Sequence, residues 1–268
     1  MKSFKVYENC NLKDFTDSVY PQGSFCLTRL LKERDIKVNG ERVGNNVELC
    51  PGDTVVYYTS PKQEAMPSHY AVYEDENIYI ADKLSGVTSE ALASELGLYP
   101  VHRLDRNTQG LLVFAKTKEA EAELLAAFKE RTVEKKYLAL CKNNFKFSSA
   151  TLEAYLVKDE KTSTVKIYDK EVKGSVKIIT EFCVLERRGD LALTEITLHT
   201  GKTHQIRAHS AHIGCPVLGD EKYGDNKLNK KYSAKRQRLV ASSLKFNLSG
   251  NLSYLNDKTF ESKRPVAD

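Results

Sequence analysis

Asp105 lies in the segment VHRLDRNTQGLLVFAKT (101–117), where a polar His-Arg-Leu-Asp turn runs through Thr108 and Gly110 into an apolar stretch. A loop held against a buried strand is a firm place to present a reactive carboxylate. Read alone, an aspartate near Arg103 and Arg106 is more often a turn cap neutralised by one of them. A second concentration of polar chemistry follows in HTGKTHQIRAHSAHIGCPVLGDEKYG (199–224), with His199, His204, His209, His212, Cys215 and Asp220. Such clusters can bind zinc. However, the histidine intervals of five, five and three lack the i, i+4 pair of a helical zinc motif. No second acid accompanies Asp105 in a motif, which disfavours a two-carboxylate glycosidase.

HRLDRNTQGLLVFAKT resembles the catalytic motif of the RluA-type pseudouridine synthases, H-R-L-D-x-x-T-S-G-L-L-V-x-A-K. Two further blocks follow in that family's order. EKKYLAL (134–140) is similar to K-x-Y-x-A-L, and 199–224 is similar to T-G-R-x-H-Q-I-R-x-H followed by P-I-x-G-D-x-x-Y-G. The resemblance spans roughly 70–250 and implies an enzyme that converts uridine in RNA to pseudouridine with no cofactor and no metal. By the same resemblance Asp105 is the nucleophile, Arg207 its partner and Tyr137 the active-site tyrosine. A nucleophilic carboxylate must stay ionised where water is excluded, and a planar, permanently charged guanidinium both keeps and orients the anion. A flat tyrosine ring can stack on an extruded uracil, and its hydroxyl can assist proton removal.

Ile206 is expected to line the same pocket, and Arg103 either to displace the flipped nucleotide or to brace the turn. His102, Thr108, Lys202, His204 and Gln205 complete the expected substrate-binding set. The chain departs from the family pattern at Gln109, usually Ser, and at Lys202, usually Arg. ADKLSGVTSE (81–90) also keeps Lys83 and Gly86 of a Lys-Pro-x-Gly turn but lacks the proline. None of these changes touches Asp105, Tyr137 or Arg207, whose joint presence argues against a homologue that binds RNA without chemistry.

The elements that must position these residues read as an α+β chain. The implied architecture is the pseudouridine synthase fold, a mixed, mainly antiparallel sheet with flanking helices, preceded by a small α/β RNA-binding module. Residues 24–35 have helical apolar spacing with Ser24 as N-cap, and Asn39-Gly40 marks a tight hairpin within 36–58. RLLKERDIKVNGERVGNNVELCPGDTV (29–55) resembles the S-four RNA-binding module of a small-subunit ribosomal protein. Residues 1–60 are therefore expected as that module, 61–70, which includes Pro61 and Pro67, as a linker, and 71–268 as the catalytic domain. Within the latter the pattern predicts a hairpin or strand over 72–83, a helix over 89–97 ended by Gly97, and a buried strand over 110–117. A helix over 118–131 capped by Thr117, a strand over 135–142, a helix over 203–212 and a strand over 238–246 follow.

Composition excludes other classes. The 268 residues are 41% hydrophobic and 29% charged, which rules out a disordered or low-complexity chain. The longest apolar runs, Leu111 to Ala115 and Tyr137 to Cys141, are far below the roughly 18 residues of a membrane helix. MKSFKVYENC lacks the apolar core of a signal peptide, so a cytoplasmic monomer is expected, with six scattered, reduced cysteines. The net charge is +5, distributed as zero over 1–60, −5 over 61–100, +3 over 101–200 and +7 over 201–268. LNKKYSAKRQR (228–238) carries Lys230, Lys231, Lys235, Arg236 and Arg238 without an acid; alone it reads as a solvated surface loop. Beside an RNA site it becomes a binding surface. Ribosomal RNA is the expected partner, with transfer RNA the alternative and no membrane contact.

Overall fold

The computed structural model describes residues 1–159 and 163–266. The first 58 residues build a sheet and core of their own. Antiparallel strands lie in the order Lys2–Lys5, Thr54–Tyr57, Ile36–Val38, Glu41–Val43, covered by helices α1 (Leu12–Val19) and α2 (Pro21–Glu33). Leu12, Phe15, Leu27, Leu30, Ile36, Val55 and Tyr57 fill the space between them.

The helix expected to begin at Ser24 begins at Pro21, whose fixed φ suits a first helical turn. Ser24 is buried inside α2 and donates to the Asp17 carboxylate instead of capping. Helix α1 has no counterpart among the elements expected from the sequence. Its cap is Asn11, which accepts the Asp14 N–H. The expected linker is also partly ordered: Pro61–Glu64 forms helix α3 with a Ser60–Gln63 capping box, and the strand His69–Glu74 starts within it.

The larger sheet runs, in spatial order, Thr164–Tyr168, Ser149–Asp159, Val176–Arg188, Leu191–Leu198, Val133–Lys142, Leu239–Phe246, Gln109–Ala115, Ile78–Lys83, His69–Glu74. Tyr99–Pro100 and Thr259–Glu261 pair at its side. Every described pairing is antiparallel except that of Gln109–Ala115 with Leu239–Phe246, so the sheet is mixed and mainly antiparallel as expected. The strand Gln109–Ala115 is apolar from Leu111 to Ala115 because both faces are covered. Leu112 and Phe114 pack on one side with Tyr137, Ile196 and Ile206, while Leu111 and Val113 pack on the other with Leu124 and Phe246. Helix α4 (Ser89–Leu96) ends at Gly97, and α5 (Lys118–Glu130) is capped by Thr117. Helices α6 (Gln205–His212) and α7 (Asn226–Lys231) follow in the C-terminal part, and α6 borders the site. Among the described residues no helix is long and apolar enough to cross a membrane.

Candidate active site

Three chain segments converge on one cleft of about 460 Å3: the 101–108 loop, the start of α6 and the strand Val133–Lys142. The loop is fixed by its surroundings. Ser89 Oγ accepts the Leu104 N–H at 2.9 Å and donates to the Leu104 carbonyl, and the Thr108 N–H reaches the Asp105 carbonyl. At its end Gly110 (φ +107°) lets the chain enter the sheet. A Cβ there would stand 2.3 Å from the Ala241 carbonyl oxygen, so the parallel pairing of 109–110 with 240–241 requires glycine. Ala241 also pairs with Tyr137, across a bulge that leaves Ser242 unpaired in the register and sets the tyrosine on the cleft wall.

Arg207 is the electrostatic hub. Its Nη1 donates to Asp105 Oδ2 at 2.9 Å, and its Nε and Nη2 fork onto the two oxygens of Asp220 at 2.6 and 3.0 Å. Asp220 is wholly buried; burial pushes its carboxyl up, but Arg207 and the N–H groups of Tyr223 and Lys222 outweigh this and hold it below the usual range. Burial likewise opposes the Arg207 charge, and the two carboxylates more than restore it. One guanidinium is thus anchored from behind by one aspartate while it aims at another. The Tyr223 ring lies 5.3 Å from the guanidinium carbon and its hydroxyl accepts the Val165 N–H, closing the far side.

The other expected residues divide. All ten expected residues, Asp105 and Arg207 included, line the cleft. Burial pushes the Tyr137 hydroxyl well above its ordinary range, and the Asp105 charge adds to this, so the phenol stays protonated. Ile206 is buried beside it. His204, at the left-handed start of α6 (φ 54°), sits 3.9 Å from Asp105 and 3.0 Å from the Tyr223 hydroxyl; burial lowers its pKa and keeps it neutral. Gln205 is spent on structure, bonding Thr200, the Lys202 N–H, Thr180 and the Ile179 carbonyl. His102 accepts the Val113 N–H at 3.0 Å, and burial pushes its pKa down to about 3. Thr108 accepts from Gln237. Lys202 is exposed at the rim, and Arg103, with 74% of its side chain exposed, pairs loosely with Glu90 at 3.6 Å. Neither Arg103 nor Arg106 neutralises Asp105, as the isolated turn had allowed; Arg207 does, and Arg106 is engaged elsewhere.

Several residues were not anticipated. Asp220 belongs both to the zinc-like cluster and to the G-D-x-x-Y-G block, neither of which gives it a role; the histidines of that cluster face different partners, Glu181 for His199, Thr180 for His209 and Asp169 for His212. Lys135 is 8% exposed and lines the cleft two residues before Tyr137, a placement that strand alternation alone would have given. Lys129 and Arg131 join it at the rim. Lys83 is fully buried behind the loop; its Nζ donates to the carbonyls of Leu84, Val87 and Arg106, and burial lowers its pKa to about 7 against the pull of Asp105. Among the described residues Asp105 is the one acid on the cleft wall, so no carboxylate pair of the glycosidase kind is assembled.

Residues 61–212 match the family described as RNA pseudouridylate synthase. A Vibrio parahaemolyticus protein named ribosomal large subunit pseudouridine synthase C is 30% identical over 83% of this chain and 80% of its own. An Aquifex aeolicus protein named as an uncharacterized RNA pseudouridine synthase is 34% identical over 82% of this chain and 79% of its own. Among solved structures, human RNA pseudouridylate synthase domain containing 1 superposes with a TM-score of 0.61 at 26% identity, covering 74% of this chain and 83% of that one.

Proposed function

The chain belongs to the RNA pseudouridylate synthase family, and from that premise we propose that it isomerises particular uridines of large-subunit ribosomal RNA with Asp105 as the nucleophile. The observation that carries this is the lone cleft carboxylate held by Arg207 beside a buried tyrosine. A flipped uridine fits a cleft of about 460 Å3. The Asp105 carboxylate attacks the nucleoside, at the ribose anomeric carbon or at the uracil ring, and the glycosidic bond breaks. The base turns while held, C5 joins the anomeric carbon, and the bond to Asp105 breaks to return its carboxylate; the C5 proton then leaves and N1 takes one up, which restores the aromatic ring.

Each neighbour has a physical part in this. Arg207 pairs with the carboxylate and holds it in one orientation. Tyr137 offers a flat face to the turning base. Its hydroxyl, kept protonated by burial and by the Asp105 charge, can serve as a relay for the C5 proton, giving up its own as it takes that one. Lys129, Arg131, Lys135 and Lys202 ring the mouth with positive charge suited to the flanking phosphates. The relative's name, ribosomal large subunit pseudouridine synthase C, supports ribosomal RNA as the partner. The test is to incubate the protein with unmodified ribosomal and transfer RNA and map new pseudouridines by carbodiimide adducts and primer extension. Sites in large-subunit RNA are expected; sites in transfer RNA alone would reassign the substrate, and none in either pool would overturn the activity.

A further inference from the structure

Asp105 and Arg106 are adjacent, yet they serve different parts of the molecule. Asp105 meets Arg207 in the cleft, whereas Arg106 Nη1 reaches Asp17 Oδ2, on α1 of the N-terminal unit, at 2.5 Å. The same guanidinium donates to the Ser24 carbonyl on α2 at 3.3 Å and to the Gly86 carbonyl at 3.1 Å. The Arg106 carbonyl in turn accepts the Gly86 N–H and the Lys83 ammonium. The 84–88 turn is therefore clamped between the catalytic loop and the N-terminal unit. Thr88 Oγ1 donates to the Asp17 carbonyl, and the Phe25 ring lies 3.2 Å from where a Cβ of Gly86 (φ +91°) would be.

A guanidinium whose three nitrogens each donate to a carboxylate or a backbone carbonyl fixes the backbone on which it sits. Asp17 and Arg106 are also partly shielded, with side chains 15% and 33% exposed, so their pairing is screened less than a surface ion pair. We propose that Asp17 and Arg106 are positioning residues for the isomerisation: their ion pair latches the N-terminal unit onto the catalytic loop and holds Asp105 in register with Arg207. This rests on the reading of Asp105 as nucleophile. It gives the N-terminal unit, which is neutral overall, a role that needs no affinity for RNA.

The test compares full-length Asp17→Asn, Asp17→Glu and Arg106→Gln with the parent chain. Hydrogen exchange of the 101–110 amides reads the loop directly and does not depend on activity. Single-turnover tritium release from an unmodified large-subunit RNA transcript labelled with [5-3H]uridine reads the chemistry, and filter binding reads affinity for the same transcript. Asp17→Asn and Arg106→Gln are expected to speed loop exchange and slow the single-turnover step about tenfold, with the dissociation constant within twofold and partial rescue in Asp17→Glu. Exchange over 54–57 reports whether the N-terminal unit remains folded; if Asp17→Asn unfolds it, Arg106→Gln, placed in the catalytic loop, decides. Unchanged loop protection overturns the proposal, as does a loosened loop with the parent rate, or a loss confined to RNA affinity. If the parent chain releases no tritium, the functional reading fails, while the exchange result still decides the latch.

Discussion

The positive charge of this protein is handled in two opposite ways, in the floor of the cleft and along the 227–238 run. In the floor, Arg207 is 8% exposed and bonded to two aspartates, so its charge is spent on geometry. Along the run, Lys227, Lys230, Lys235 and Arg236 are exposed, and Lys231 pairs with Asp190 at the surface. A buried guanidinium that loses its partner leaves an uncompensated charge at several kcal/mol. An exposed cation contributes little to stability but attracts polyanions over about 10 Å. The floor should therefore govern rate and folding, and the run should govern affinity and its salt dependence.

The largest effect belongs to the floor. Asp105→Asn should abolish pseudouridine formation while leaving RNA binding near the parent value, as read by primer extension and filter binding. Retained product would remove the nucleophile and with it the distinction between the regions. Asp220→Asn should come next. It leaves Asp105 in place but frees the fork that aims Arg207, so kcat should fall about 100-fold and stability by about 3 kcal/mol. Kinetics on the folded variant and denaturant titration measure the two effects separately. A variant that lost stability and kept kcat would show that Asp220 supports the fold without aiming Arg207.

On the other side, neutralising Lys230, Lys231, Lys235 and Arg236 together should weaken RNA binding and flatten the log–log salt dependence by up to about 3. The single-turnover rate at saturating RNA should be unchanged. The run reaches the cleft at Gln237, which donates to Thr108 of the 101–108 loop. Deleting 1–60 should affect binding less than this but slow the chemical step, since it removes Asp17. A deletion that weakened binding more than the neutralised run would show that the segmental charges misplace the RNA.

What the sequence disclosed follows the same division. The strand through Leu111–Ala115, the helices at 89–97 and 118–131 and the Asn39-Gly40 turn were legible because period, caps and turn residues are local. Asp105, Tyr137 and Arg207 were legible through their motifs, and the structure brings them to one cleft. The Arg207–Asp220 fork lay inside a motif too, but thirteen residues and a turn apart, with nothing local to pair the two. The Arg106–Asp17 contact was illegible for a stronger reason: its partners are 89 residues apart and in different units. The 228–238 run, read as a loop, is partly helical because Leu228 buries itself and Asp225 caps α7, neither of which a charge count detects. Gln205 and His102 matched motif positions, but their polar atoms are used to fix backbone, a distinction that only the hydrogen bonds reveal.

The smallest effect is one of pH, and it separates a cleft residue that supports structure from those that support chemistry. Neutral His102 accepts the Val113 N–H, and burial pushes its pKa from 6.5 down to about 3. In the unfolded chain the imidazole takes a proton near pH 6.5, whereas in the folded protein it resists protonation until about pH 3. The unfolded state therefore binds more protons between these values, so the stability due to His102 is complete above about pH 6.5 and drains as pH falls toward 3. His102→Gln keeps an oxygen able to accept the Val113 N–H but cannot titrate. Its stability should fall less steeply with acid, by up to about 1.4 kcal/mol per pH unit around pH 5, as read by urea titrations at each pH. Loss of the ring stacked 4.3 Å from Phe128 lowers the whole curve, so the slope and not the height is the measure. His209, whose pKa burial lowers to about 4, leaves a residual slope of the same sign. Equal slopes in the two proteins would mean that His102 is as free to protonate as in the unfolded chain, and would return it to the set of residues available to the substrate.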